Sequence, residues 1–296
     1  MNDSGPRVYS PIVLFFGVAA ISTGAIFARL ADAPALVVAA YRVGLATLVL
    51  APVALVRSRQ ELLGLSARDI GLAGLSGFFL AIHFAAWISS LDFTSVANSV
   101  VLVNTNPIWV GILTPFLTHE SIPRSTQIGI VLSVVGGIII GVGDISIGRD
   151  ALFGDLLALV GSMAMALYLL MGRKLRRKLS LTAYVAVCYG SAAIILWGWV
   201  LVMGLPITGF DTGTWACFWG LALVSQVIGH TSFNWALRWL SAGVIAVALL
   251  GEPVGATILA YVVLGEGLTW PKMAGGLLIL SAIYITAAGE RTHTKQ

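Results

Sequence analysis

Ten apolar runs, each long enough to cross a bilayer and almost free of charge, follow one another along this 296-residue chain. They fall at 12–30, 34–56, 69–91, 94–117 and 123–142, then at 150–171, 181–203, 213–237, 241–264 and 271–288. A spanning helix needs about 20 apolar residues, and backbone polar groups in lipid must be satisfied within their own segment, which favours helices. The connections are short, as in Asp32-Ala33-Pro34, so sequential helices lie antiparallel and adjacent. Composition agrees: the chain is 58% hydrophobic and 10% charged, where soluble domains run near ~45–50% and ~25%. An ordinary water-soluble enzyme is excluded, and no soluble domain fits between the runs.

A sequence pI near 9.3 would suit a nucleic-acid partner, but the basic residues are distributed as membrane topology signals. With the N-terminus inside, alternate connections and the tails collect 13 Lys and Arg, against 3 on the other side, Arg29, Arg149 and Lys272. The positive-inside rule therefore places both termini in the cytoplasm. The densest signal is Arg173-Lys174-Leu175-Arg176-Arg177-Lys178, read as a topology anchor between the sixth and seventh spans. Residues 1–11 and 289–296 read as cytoplasmic tails, and the N-terminal one lacks a cleavage site of signal-peptide type. Cys188 and Cys217 lie in apolar stretches, so neither a disulfide framework nor a cysteine-rich metal site is implied.

The chain also repeats itself. Leu91 through Asn106-Pro107 to Glu120 aligns without gaps on Leu237 through Glu252-Pro253 to Glu266, at a constant offset of 146. Gly129 and Gly275 keep the same offset. Two repeats of five spans each, 12–142 and 150–288, imply that the second copy enters the membrane upside down, because five is odd. Asp92 and its counterpart Arg238 carry the charges such an inversion requires. Inverted halves can exchange conformations around a site near the bilayer midplane, which is the geometry of a carrier. The expected fold is an all-α membrane protein of ten transmembrane helices, two inverted five-helix repeats around a central cavity.

Asn106-Pro107, the helix end at Phe116-Leu117, His119-Glu120-Ser121-Ile122 and Gln127-Ile128-Gly129 resemble the EamA-type repeat of the drug/metabolite transporter superfamily. Glu252-Pro253, Gly265-Glu266-Gly267-Leu268-Thr269 and Ala274-Gly275-Gly276 resemble it a second time. Arg42, within Tyr41-Arg42-Val43-Gly44, sits where that repeat usually has an arginine. Among members the chain looks most like the bacterial YddG-type amino-acid exporters. The resemblance implies ten helices in a basket, an inner-membrane location, export of amino acids or related small metabolites, no cofactor and no ATPase subunit. The sequence itself has no phosphate loop of the G-x-x-x-x-G-K-[ST] type. The Gly136-Gly137 pair and the spacing to Gly141 read as close helix packing.

Polar groups inside the bilayer are the informative exceptions, since each is unfavourable unless paired or wet. Gln226, His230 and Asn234 recur every four residues, which sets them on one helical face, either lining a cavity or joining helices by hydrogen bonds. Ser76, Phe79, His83 and Trp87 share a face of the third span, and His83 matches His230 to within one residue of the repeat. The fourth span presents Asn98, Thr105 and Trp109, with Asn104 and Asn106 beside Pro107. Pro107 and Pro253 fall near the middle of their spans, as hinges or as static kinks. Arg42 and Glu252 are the charges deep in the membrane, either an ion pair that balances itself or, for Glu252, a proton-coupling site. Trp87, Trp109, Phe79 and Tyr168 are candidates for the cavity wall, whereas Trp197, Trp199, Trp215 and Trp270 read as interfacial belt residues. Amides, imidazoles and rings suit a neutral or zwitterionic small molecule, and two histidines without carboxylate or thiol partners make a poor zinc site. A facilitator without ion coupling is the alternative carrier. A membrane enzyme lacks a nucleophile, base and metal constellation, and a channel lacks a filter-like repeat.

Overall fold

A computed structural model describes residues 10–94, 96–117, 122–141, 149–264, 267 and 269–293. The described chain is all helix and connection. In order it forms α1 (Ser10–Ser22), α2 (Gly24–Leu30), α3 (Ala35–Arg57), α4 (Arg59–Leu63), α5 (Ala67–Ser90), α6 (Val96–Val103), α7 (Asn106–Leu117) and α8 (Arg124–Gly141). The second half forms α9 (Arg149–Arg176), α10 (Leu181–Val202), α11 (Thr212–Gly220), a π-helical segment Leu221–His230, α12 (Thr231–Ala236), α13 (Ala242–Leu249), α14 (Gly251–Leu264) and α15 (Trp270–His293). Several of these helices start on a side-chain cap. Ser66, Asp211, Ser180 and Ser241 accept a bond from the backbone N–H three residues on, which satisfies one donor of the open first turn.

Among the described residues, eight helices are long and apolar enough to cross a membrane, and each overlaps one of the expected runs. Ala35–Arg57 against 34–56 and Leu181–Val202 against 181–203 show how close the agreement is. Two expected runs fall outside that measure: Arg124–Ile139 is a shorter apolar helix, and residues 212–236 pass from α to π and back.

The expected mid-span kinks at proline take a different form. The fourth and ninth spans are broken, at Asn104–Thr105 and at Leu250, and each proline sits within the first turn of the helix that restarts after the break. Proline is tolerated in a first helical turn because its missing N–H has no intrahelical role there. Pro107 leaves the Val103 carbonyl without its usual donor, and the Asn106 side-chain amide occupies it at 3.4 Å.

The packing pairs exchange when the halves are exchanged. The α5 helix lies along α9 as α1 lies along the π segment; α6 and α7 lie on α9 as α14 lies on α1; α10 meets α5 as the π segment meets α3. The α3–α10 and α8–α15 pairs map onto themselves. In α8 and α15 the close approach uses Gly136, where a Cβ would stand 2.7 Å from the Gly275 carbonyl, and Gly129, which sits under Thr286. Gly137, expected to share this role, has only Val101 nearby, at 3.7 Å.

Cross-links define two ends. One carries Lys178 paired with Asp69, Glu61 accepting from the Ser180 N–H at 2.7 Å, and Ser58 bonded to Thr182 at 2.5 Å. The other carries Asp32, whose N–H donates to Thr214 at 3.2 Å, and Thr94, which donates to Asp155 at 2.8 Å. These are called the basic and the acidic end below. One expectation changes here. Arg176 is not part of a solvated loop but ends α9 with its side chain buried. Trp197 and Trp215, half-buried, pack edge-on against Tyr41 at 4.9 and 5.0 Å, whereas Trp270 is 80% exposed.

Candidate functional site

Five structural elements converge on the centre of the bundle: α3, α5, the π segment and the two helix breaks. α3 contributes Arg42, α5 contributes His83 and Trp87, and the π segment contributes His230. The break in the fourth span contributes Asn104 and Asn106, and the ninth contributes Glu252. Between them lies a void of about 20 Å³, the space of roughly one water molecule. A metabolite is much larger, so its binding requires the surrounding helices to separate.

Each side chain is held from behind. Arg42 donates through Nε to Gln226 Oε1 at 3.0 Å, and its guanidinium lies 4.0 Å from the centroid of Phe84, a cation–π arrangement. Its Nη1 has no hydrogen-bond partner. Trp87 lies parallel to His83 at 6.1 Å, and its indole Nε1 is likewise unpartnered. His83 meets the Gly161 carbonyl through Nδ1 at 3.0 Å, which makes Nδ1 the donor and leaves Nε2 as the acceptor of the neutral ring. His230 stands 6.1 Å from His83 with Nδ1 unpartnered.

On the other side, Glu252 Oε2 accepts from the Asn104 amide at 3.4 Å, and Asn106 Oδ1 has no partner. Arg42 and Glu252 line the same void without forming an ion pair, so the self-balancing pair allowed by the sequence is not made. Buried groups without partners are rare in proteins. Among the described residues, four such atoms line this void, Arg42 Nη1, Trp87 Nε1, His230 Nδ1 and Asn106 Oδ1, while others, such as those of Thr126, Trp239 and Thr286, lie elsewhere. Donors, Arg42 Nη1 and Trp87 Nε1, belong to the first repeat's α3 and α5. The carboxylate of Glu252 comes from the second repeat, with the Asn106 carbonyl oxygen lining the same void.

The remaining sequence candidates stand outside the void. Gln226 supports Arg42. Asn234 accepts from the Tyr168 hydroxyl at 2.7 Å and donates to that of Tyr189 at 2.9 Å, a buried layer between the void and the basic end. Thr105 bonds Ser162 at 2.9 Å. Trp109 is half-buried against the core with Nε1 unpartnered, and Phe79 is half-buried beside Phe78. The Asn98 side chain lies outside the described residues. Pro107 and Pro253 flank the void at the two breaks. Gln226, His230 and Asn234 therefore divide between a supporting, a lining and a bridging role. The π segment explains this, because its i to i+5 bonding adds a residue per turn and shifts the phase of the face. Asn106 was the void-lining position least marked by type, yet the repeat marks it, since it aligns with Glu252. Tyr189 carries no such signal. Among the described residues, no group of three or more His, Cys, Asp or Glu is placed to hold a metal ion.

Comparison with known proteins gives a consistent result. The model of the EamA-like transporter family matches residues 9–142 and again residues 152–288. An uncharacterized transporter of Archaeoglobus fulgidus is 27% identical over 223 residues, 74% of this chain and 75% of its own length. The uncharacterized transporter YyaM of Bacillus subtilis is 23% identical over 262 residues, covering 85% and 83%. A protein of known crystal structure, 16% identical, superposes with a TM-score of 0.79 over 96% of this chain and 99% of the other, which is a likeness of fold.

Proposed function

The chain belongs to the EamA-like transporter family, and from that premise we propose that it is a secondary exporter of amino acids and related zwitterionic metabolites. The family is one of membrane transporters, not enzymes, and the chain is a multi-pass membrane protein with a small-molecule substrate. The carrying observation for the substrate class is the split charge at the centre. An α-carboxylate meets Arg42 and the Trp87 indole, a charge-assisted bond with a second donor beside it. The α-ammonium meets Glu252 and the Asn106 carbonyl. The ligand thereby completes the pairing that the two buried charges do not make with each other, and desolvated charges are favourable only when so completed. Once the helices separate, His83, His230 and the Trp87 ring offer a polarizable wall for a neutral side chain, including an aromatic one.

The mechanism we propose is alternating access between two inverted five-helix repeats, 12–142 and 150–288. The short helix Arg124–Ile139 and the α–π–α run 212–236 serve as the fifth and eighth of ten spans. The exchange symmetry of the packing supports this reading, and so do the matched breaks at Pro107 and Pro253, which supply hinges next to the ligand. Lys and Arg placement supports a basic end in the cytoplasm, with both termini inside and an inner-membrane location. General likeness supports a place among YddG-type exporters. A facilitator without proton coupling remains the second reading, favoured by Glu252 being, among the described residues, the one carboxylate lining the void.

Uptake of a labelled amino-acid panel into proteoliposomes, with and without an imposed pH gradient, tests both. Saturable, competed uptake is expected. A folded preparation that carries no amino acid overturns the substrate class, and uptake indifferent to the gradient selects the facilitator.

A further inference from the structure

The two ends of the bundle are related by the repeat but closed by different means. Leu91 and Leu237 are counterparts at the offset of 146, and each backbone carbonyl accepts from an arginine, Arg29 at 2.8 Å and Arg173 at 2.9 Å. Behind Arg29, at the acidic end, a cleft of about 120 Å³ opens between the α2–α3 connection and the end of α5. Its walls include Ala33, Ala35, Val38 and Ile88. The counterparts of those four at the basic end are Leu179, Leu181, Tyr184 and Asn234, all larger or polar.

The Arg176 side chain fills the corresponding space. It is 2% exposed, donates through Nε to the Asn234 carbonyl at 2.9 Å, and donates through Nη1 to the Leu179 carbonyl. Its own counterpart, Leu30, is 54% exposed. Above Arg176, towards the central void, lies the Tyr168–Asn234–Tyr189 layer. An arginine in the last turn of a membrane helix normally extends its stem outward and keeps its head in water. Here the head is turned inward onto carbonyl dipoles, with no carboxylate hydrogen-bonded to it among the described residues. A buried guanidinium so held is only marginally favourable.

We propose that Arg176 is the plug of the basic-end access path, that its withdrawal opens the central cavity to that side, and that the alanine-walled cleft behind Arg29 is the corresponding path at the acidic end. Nothing in this depends on which metabolite is carried.

Cys188 supplies a native reporter. It is fully buried beside Ser76 and Tyr184, on the same side of the bundle as the plug. In a Cys217→Ser background, a membrane-impermeant thiol reagent presented at the basic end labels Cys188 slowly. Arg176→Ala is expected to speed labelling by about tenfold, the population shift that follows loss of a charge-assisted bond. Arg176→Lys keeps the charge and stem yet cannot hold both carbonyls, so it gives an intermediate increase, and it serves where the alanine variant does not yield monodisperse protein. Arg29→Ala leaves Cys188 labelling unchanged. Labelling unaltered in a folded Arg176 variant overturns the proposal, as does an equal increase from Arg29→Ala, which would report general loosening.

Discussion

Arg42→Lys separates the role of a fixed guanidinium fork from that of a positive charge. In the native arrangement one arm of Arg42 is held by Gln226 at 3.0 Å, the plane rests 4.0 Å from Phe84, and Nη1 is left for a ligand. Lysine preserves the charge, and so preserves the long-range balance with Glu252. Its single ammonium cannot be held by Gln226 and meet a ligand carboxylate in the same geometry. A hydrogen bond to a charged group contributes about 1.5–3 kcal/mol. Each 1.4 kcal/mol is a factor of ten, so KM for an amino acid should rise about 10- to 100-fold while protein yield and melting temperature change little. The assay is initial-rate uptake in proteoliposomes across a concentration series, with the amino-acid methyl ester as competitor. The ester lacks the carboxylate, so it competes weakly with wild type, and the Arg42→Lys substitution should scarcely change its inhibition constant. A KM within about twofold of wild type in folded protein, where a lost charged bond requires tenfold or more, refutes the assignment of Arg42 to the carboxylate.

Glu252→Gln removes the carboxylate facing Arg42, His83 and His230, and uptake by that variant should no longer respond to an imposed pH gradient; a retained response excludes Glu252 from coupling. Simple monocarboxylates of similar size should inhibit uptake without being carried, because they engage Arg42 alone; counterflow of a labelled monocarboxylate at the amino-acid rate contradicts this. Gly136→Leu drives a side chain into the Gly275 carbonyl and Ile279, and overpacking of this kind costs about 1–3 kcal/mol. It should lower the melting temperature, whereas Gly137→Ala, with only Val101 at 3.7 Å, should not. At the acidic end, the Thr214 N–H holds the Asp211 carboxyl below its ordinary value. The native state therefore binds that proton more weakly than the unfolded chain, so the stabilisation is present above about pH 3.9 and is lost as pH falls through the lowered native value. Melting curves between neutral and acid pH should show a shallower acid-side fall for Asp211→Ala than for wild type.

The positions of the helices were legible because a run of apolar residues reports burial in lipid directly. The breaks were not, because they arise from local competition. Pro107 withholds one backbone donor, and the side-chain amides of Asn104 and Asn106 bond the carbonyls of Val100 and Val103, so the helix restarts instead of bending. The π segment escaped for a related reason: hydrophobic content fixes the length of a span but not its turn, and the phase of Gln226, His230 and Asn234 depends on the turn. Arg176 was misplaced by a rule about loops that carries no information on whether a particular guanidinium turns in or out. In the centre, Arg42, His83, Trp87, His230 and Glu252 were visible as costly residues in an apolar setting. Asn106 emerged through its alignment with Glu252, and Tyr189 only through three-dimensional contact.

Divergence between the repeats matters as much as their likeness. Had the duplication stayed exact in sequence, any charge at the centre would face its own copy, and two like charges in a poorly screened cavity repel strongly. Instead the counterpart of Arg42 is Cys188 and that of Glu252 is Asn106, so the cavity carries one charge of each sign, each contributed by a different repeat. On the proposed substrate class, a zwitterion lying between them would be bonded to both halves at once. If the halves rock apart at either end, those bonds stretch, and when they close around the ligand, both are made; the ligand's own polarity therefore favours the closed arrangement through which alternating access must pass. A ligand with a single charge contacts one half only and supplies no such pull. The proposed carrier would then use the same two residues for recognition and for transport, with the backbone breaks beside Asn106 and Glu252 as the places where the halves would move.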